Sequence, residues 1–123
     1  LADRAAAADV TRHLGGRTTL IDVVGQTDIP ALAGVLAQCR GLMANDSGAL
    51  HLGAALGLSV TAAFGPTNER LSAPRTWNPE SSVTVLTRDT WCRPCGLRNC
   101  PLDHVCMAGI TAAHALTATR KAL

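Results

Sequence analysis

The sequence predicts an α/β fold, a small doubly wound domain on a parallel sheet, from two observations. Short apolar runs rich in branched residues alternate with segments of helical periodicity along the chain. The connections in the first half are short, with Gly or Gly-Pro closing most elements. Alternation of this kind is the mark of right-handed βαβ units, which require parallel strands. At 123 residues the chain suffices for one domain with one modest core.

The elements follow in order. Ala2 to Leu14 is Ala-rich and helix-like, stopped by Gly15-Gly16. Leu20 to Val24 reads as a short strand ending at Gly25. Asp28 is placed to cap a second helix, with Pro30 in its first turn and Leu32, Val35, Leu36 and Cys39 at helical spacing. That spacing makes Cys39 a buried thiol. Leu42 to Ala44 is a brief apolar run in which Leu42 and Met43 read as sheet core, and Gly48 to Leu56 turns helical again, stopped by Gly57. Ser59 to Phe64 is the next strand, residues 65–81 a long loop, and Ser82 to Leu86 a last strand. A Cys-rich loop, residues 91–107, precedes a terminal helix from Ile110 to Leu123, where His114 is read as surface or core.

Composition removes several function classes. The chain is 47% hydrophobic with a formal charge of +2, from 11 basic and 9 acidic residues, too balanced to announce a nucleic-acid partner. Phe64, Trp77 and Trp91 are the aromatic residues, too few for a base-stacking platform. No run approaches the roughly 18 apolar residues of a membrane span, so at most a peripheral membrane contact is expected. No secretory signal is visible: Leu1 to Val10 carries Asp3, Arg4 and Asp9 and fits an amphipathic helix instead. The cytoplasm, with reduced cysteines, is therefore the expected compartment. A start at Leu, inside a helical pattern, suggests a fragment of a longer protein.

Ligands of open α/β sheets bind beyond the carboxyl ends of the strands. Gly25-Gln26-Thr27, Asn45-Asp46-Ser47-Gly48 and Gly65-Pro66-Thr67 all fall there. The middle segment is chemically the richest, because a helix start leaves N–H groups unpaired and suits a phosphate. Ser47 and His51, four residues apart, share one face and can donate to phosphate oxygens, while Gly48 lets an anion approach the backbone. Asp46 suits sugar hydroxyls and would repel the phosphate itself. The alternative is structural: Asp46 or Ser47 caps the helix and His51 is an ordinary surface or core histidine.

Cys92, Cys95, Cys100 and Cys106, with His104 between the last two, offer a tetrahedral zinc site of structural rather than catalytic kind. The spacing has neither the paired knuckles of a zinc ribbon nor an iron–sulfur pattern. Free thiols and disulfides stand as rivals. Arg70, Arg75, Arg88, Arg93 and Arg98 are scattered through the second half and read first as solvated surface, second as a face for an anionic acceptor or membrane.

The run "NDSGALHLGAALGLSVTAAFGPTN" resembles the donor-binding segment of glycosyltransferase family 9, the ADP-heptose:lipopolysaccharide heptosyltransferases. Asp46, Ser47, Gly48 and His51 stand in its Asp-[Ser/Thr]-Gly-x-x-His pattern, and Gly65, Pro66 and Thr67 in its Gly-Pro-[Ser/Thr]. "CRPCGLRNCPLDHVCMAGIT" is similar to a Cys-bearing tail of heptosyltransferase II-type members. Together the matches cover about residues 20–120.

The resemblance implies the C-terminal half of a GT-B fold, a Rossmann-like donor domain across residues 1–123, with the N-terminal acceptor domain outside this chain. It implies transfer of heptose from ADP-heptose, or a related nucleotide-sugar, to the lipopolysaccharide inner core at the inner face of the bacterial inner membrane. Ser47, Gly48 and His51 would meet the donor's phosphates and Asp46 its heptose, with Gln26, Thr27 and Thr67 as further contacts. A Lys expected near the phosphates has no match, since Lys121 is the sole lysine. No catalytic base is assigned in this chain, which is expected not to turn over alone. No cofactor is needed for the chemistry, and zinc would be structural. The rival is a non-catalytic, metal-stabilised α/β module that binds a nucleotide or a protein partner.

Overall fold

The structure is a computed structural model that describes residues 2–16 and 18–123. Leu1, where the expected amphipathic stretch begins, lies outside the described residues. The chain divides into two compact units, Leu1–Leu32 and Ala33–Leu123.

In the N-terminal unit, α1 spans Ala2–Leu14, with Asp3 in its first turn and Arg12 and His13 in its last, the order the helix dipole favours. Gly15 and Gly16 end it at φ +53° and +73°. The strand expected over Leu20–Val24 is instead an irregular segment with a turn. Its Asp22 side chain accepts from the Val24 N–H at 2.9 Å, and Gln26 donates from Nε2 to the Asp22 carbonyl at 3.0 Å. A strand needs a ladder partner, and here a local side-chain bond takes the backbone group first.

Helix α2, Ile29–Leu36, crosses the division between the units. The Asp28 carboxylate accepts from the Ala31 N–H at 2.8 Å, the expected cap. Tight bonds from Gln38 to Val35 and from Cys39 to Leu36 then close the helix early. Cys39 therefore falls beyond the helix and is exposed, contrary to its reading as a buried thiol.

The C-terminal unit is built on three parallel strands, β1 Gly41–Asn45, β2 Ser59–Ala63 and β3 Val83–Leu86, in the order β1-β2-β3. Leu42 pairs with Val60 and Val60 with Val83, while Ala44 pairs with Ala62 and Ala62 with Val85. These rows form one face and pack with Leu50 and Ala54 of α3, Gly48–Ala55. Leu50, Val60 and Phe64 are fully buried, each worth about 1.5–3 kcal/mol relative to exposure. Residues of opposite parity, Thr84 and Leu86, face α6, Ala112–Ala122, so helices cover both faces. This is a Rossmann-like α/β arrangement. Met43 also has that parity but remains 53% exposed, so it is not the core residue its sequence suggests.

Helix α3 ends in paired bonds from Gly57 to Ala54 and from Leu58 to Gly53, with Gly57 at φ +82°. Residues 65–81 are not entirely loop: α4, Glu69–Ser72, forms there, capped by the Asn68 side chain. Trp77 Nε1 donates to the Ala55 carbonyl at 2.9 Å, and Asn78 Nδ2 to that of Gly57 at 3.1 Å, tying the segment back to α3. A further short helix, α5 Val105–Ala108, lies at the end of the Cys-rich loop. Among the described residues no helix is long and apolar enough to cross a membrane.

Candidate functional site

A cavity of about 360 Å³ opens at the carboxyl end of the sheet. Parallel strands aim their carboxyl ends the same way, so β1 delivers Asn45 and Asp46 where β2 delivers Ala63 and the Gly65-Pro66-Thr67 turn. Two of the three segments singled out in the sequence thus share one wall. The opposite wall comes from the Cys-rich loop: Gly96, Leu97, Arg98, His104 and Met107.

Asp46 is the best-placed acid. One carboxylate oxygen lies 3.8 Å from His51 Nε2, and the other accepts from Ser72 Oγ at 3.4 Å. Its side chain is 18% exposed against 49% for His51, so the histidine stands on the rim and the carboxylate inside. Ser47 is the N-cap of α3 with extended backbone, but its hydroxyl makes no capping bond. Its backbone carbonyl starts the helix by accepting from Leu50 and His51. The hydroxyl is therefore left for another partner, and the Gly48 and Ala49 N–H groups of the first turn remain open to an anion. Space in front of Gly48 is empty, since nothing lies within 4 Å of where a Cβ would stand.

Thr67 borders the cavity, with its buried hydroxyl oxygen lacking a partner among the described residues. Ser47, Gly48 and His51 lie beside the cavity rather than in its lining. Thr27 belongs to the N-terminal unit, where it is half-buried.

Arg93 is what the sequence reading missed. Read as solvated surface, its side chain is only 8% exposed. Nε donates to the Gly65 carbonyl at 2.6 Å, and Nη2 reaches the Thr67 carbonyl at 3.3 Å and Glu69 Oε2 at 2.7 Å. A planar guanidinium suits three acceptors in one plane. Backbone hydrogen bonding at Glu69, and then its bond and charge interaction with Arg93, hold that carboxyl below its ordinary value of 4.5. Gly96 N–H donates to the Pro66 carbonyl at 2.8 Å, and Met107 packs so closely on Gly65 that a Cβ there would come within 2.6 Å of its Cγ and Sδ. The loop is thereby riveted to the Gly-Pro-Thr turn. Nothing in the spacing of the arginines distinguishes Arg93 from its neighbours.

The four cysteines do not converge as a zinc shell. Cys106 is buried beside Gly65, Cys95 is exposed, Cys92 Sγ lies 3.6 Å from Thr90 Oγ1, and Cys100 Sγ accepts from Leu102 N–H. Among the described residues no three His, Cys, Asp or Glu side chains are grouped to hold a metal ion. The donor set as arranged does not fit zinc. His114 lines a separate cavity with Thr84 and Leu86, beside α6.

A parallel sheet covered by helices on both faces, with an acid, an uncommitted hydroxyl and a helix start at its carboxyl end, defines the class as a Rossmann-like α/β domain. The family model of glycosyltransferase family 9 (heptosyltransferase) matches residues 2–106, and the chain belongs to that family. It is 35% identical over 83 residues to lipooligosaccharide heptosyltransferase 2 of Campylobacter jejuni subsp. jejuni serotype O:2, covering 68% of this chain and 25% of that protein. Its counterpart in serotype O:6 is 31% identical over the same shares. Lipooligosaccharide heptosyltransferase 2 of Haemophilus ducreyi is 38% identical over 56 residues, 44% of this chain and 16% of that protein. The chain thus spans about a quarter or less of the length of these relatives. No solved structure matches.

Proposed function

We propose that this chain is the donor-binding part of a glycosyltransferase of GT-B architecture, which transfers heptose from ADP-heptose to the lipopolysaccharide inner core. The observation that carries the reading is the convergence of Asp46 with the Gly65-Pro66-Thr67 turn on one cavity, next to the open start of α3. Family membership and the names of the relatives support it.

The chemistry follows from the geometry. Departure of a nucleoside diphosphate builds negative charge, which the α3 N–H groups, Ser47 Oγ and His51 are suited to stabilise. Gly48 leaves room for that approach. Asp46, held by His51 and Ser72, is oriented to accept from sugar hydroxyls. Thr67 borders the cavity on the same wall as Asp46, with its hydroxyl buried behind that wall, and both Thr67 and Thr27 are carried as donor contacts by the resemblance. The acceptor and the base that deprotonates its hydroxyl are assigned to chain outside this segment, acting at the cytoplasmic face of the inner membrane. Accordingly the 123-residue chain alone should not turn over.

The test is heptose transfer by the full-length protein. Asp46→Asn should lower kcat/KM about tenfold or more, the scale of a lost charged hydrogen bond. Unchanged transfer by that variant, or transfer by the isolated chain, would contradict the reading.

A further inference from the structure

We propose that Arg98 and His104 of the Cys-rich loop form an oxyanion-binding wall inside the carboxyl-end cavity, with phosphate as the group it takes. The inference rests on the donor reading for where the ligand lies, and adds a second anion contact opposite the α3 start.

The two walls of the cavity differ in charge. The sheet side offers Asn45, the Asp46 carboxylate and the Gly65-Pro66-Thr67 turn. Basic side chains enter from the loop side, through Arg98 and His104. Among the described residues, neither takes part in an ion pair or a side-chain hydrogen bond, whereas nearby Arg93 is fully engaged with Gly65, Thr67 and Glu69. One arginine of the loop is committed to holding it, and the other faces the cavity uncommitted.

The loop is also built to keep these groups in place. Asp103 and His104 both adopt left-handed backbone, at φ +49° and +51°, which Asp and His enter more readily than most residues other than glycine. Here the turn presents His104 to the cavity, buries Cys106 and sets Met107 against Gly65. Arg98 follows two residues after Gly96, whose N–H is fixed on Pro66.

The chemistry selects phosphate. A guanidinium fork matches two phosphate oxygens, and a histidine beside it can donate a third bond. The Asp46 carboxylate disfavours an anion in direct contact with it, so a phosphate inside the cavity gains from the basic loop wall while sugar hydroxyls face the carboxylate. The phosphate belongs either to the donor's diphosphate or to a phosphorylated acceptor.

The experiment titrates the full-length protein with inorganic pyrophosphate and with ADP, comparing wild type with Arg98→Gln plus His104→Asn. Asn tolerates the left-handed backbone, so the loop keeps its path, and an unchanged Tm verifies that. Pyrophosphate affinity should fall about tenfold or more in the double variant. If the donor supplies the phosphate, ADP affinity falls with it; if the acceptor does, ADP affinity holds and the acceptor KM rises about tenfold. Wild-type pyrophosphate affinity retained in a folded double variant would overturn the proposal. Failure of the wild-type protein to bind ADP would overturn the donor reading instead, and the pyrophosphate comparison would still decide this one.

Discussion

Arg93 Nε donates to the Gly65 carbonyl at 2.6 Å, across 28 residues of sequence, and so joins the Cys-rich loop to the turn that walls the cavity. The same guanidinium meets Glu69 at 2.7 Å. Arg93→Ala would leave two carbonyls and a carboxylate without their donor. A loss of about 2–4 kcal/mol is expected in urea unfolding, with Arg93→Lys intermediate because an ammonium cannot reproduce the fork. A loss under about 0.5 kcal/mol, the scale of an ordinary surface change, would mean the rivet is dispensable.

The Glu69 carboxyl gives this rivet a pH dependence. Its folded value lies below the ordinary 4.5, so its contribution to stability is present in full above that pH and disappears as pH falls through the folded value. Glu69→Gln should therefore trail wild type by a constant margin at neutral pH, and the margin should shrink in acid below pH 4.5. Thermal unfolding of both proteins across that range measures it. A margin that widens in acid would reverse the sign and contradict the assignment.

The parallel strands from Gly41 onward and the strand-to-helix turn at Asp46-Ser47-Gly48 were legible in the sequence because their signals are local. Apolar runs, Gly57 as a helix stop and Asp28 as a cap all act within a few residues, and each appears as read. Leu20–Val24 misled because strand propensity says nothing about a ladder partner, and the Asp22 side chain captured the backbone instead. Met43 misled because alternation assigns a face without saying what covers it. Arg93 was hidden for the opposite reason, and Arg98 and His104 were named only within a scattered basic set and a Cys cluster. Their placement comes from a loop folding back on a turn about thirty residues earlier, which no periodicity encodes.

Gly57 tests the helix stop directly. Its φ of +82° disfavours any side chain, and an added Cβ would come 3.2 Å from the Trp77 ring. Gly57→Ala should cost about 1–2 kcal/mol in denaturant unfolding, with altered Trp fluorescence as the ring is displaced. No loss would show that the turn can relax without strain.

The dispersed thiols give a prediction about metal. Protein purified anaerobically should carry no stoichiometric zinc, and its thermal unfolding should be indifferent to a chelator. One zinc per chain, lost on Cys92→Ser or Cys106→Ser, would require the four sulfurs to gather in a way this loop does not.

The central claim is that the start of α3 and its flanking side chains hold the diphosphate of a nucleotide-sugar. Calorimetric titration of the full-length protein with ADP tests it most directly, using wild type and Ser47→Ala plus His51→Ala. Wild type is expected to bind ADP, and the double variant to bind it at least about tenfold more weakly at unchanged Tm. Equal affinity in the two proteins, or no binding by either, would contradict it.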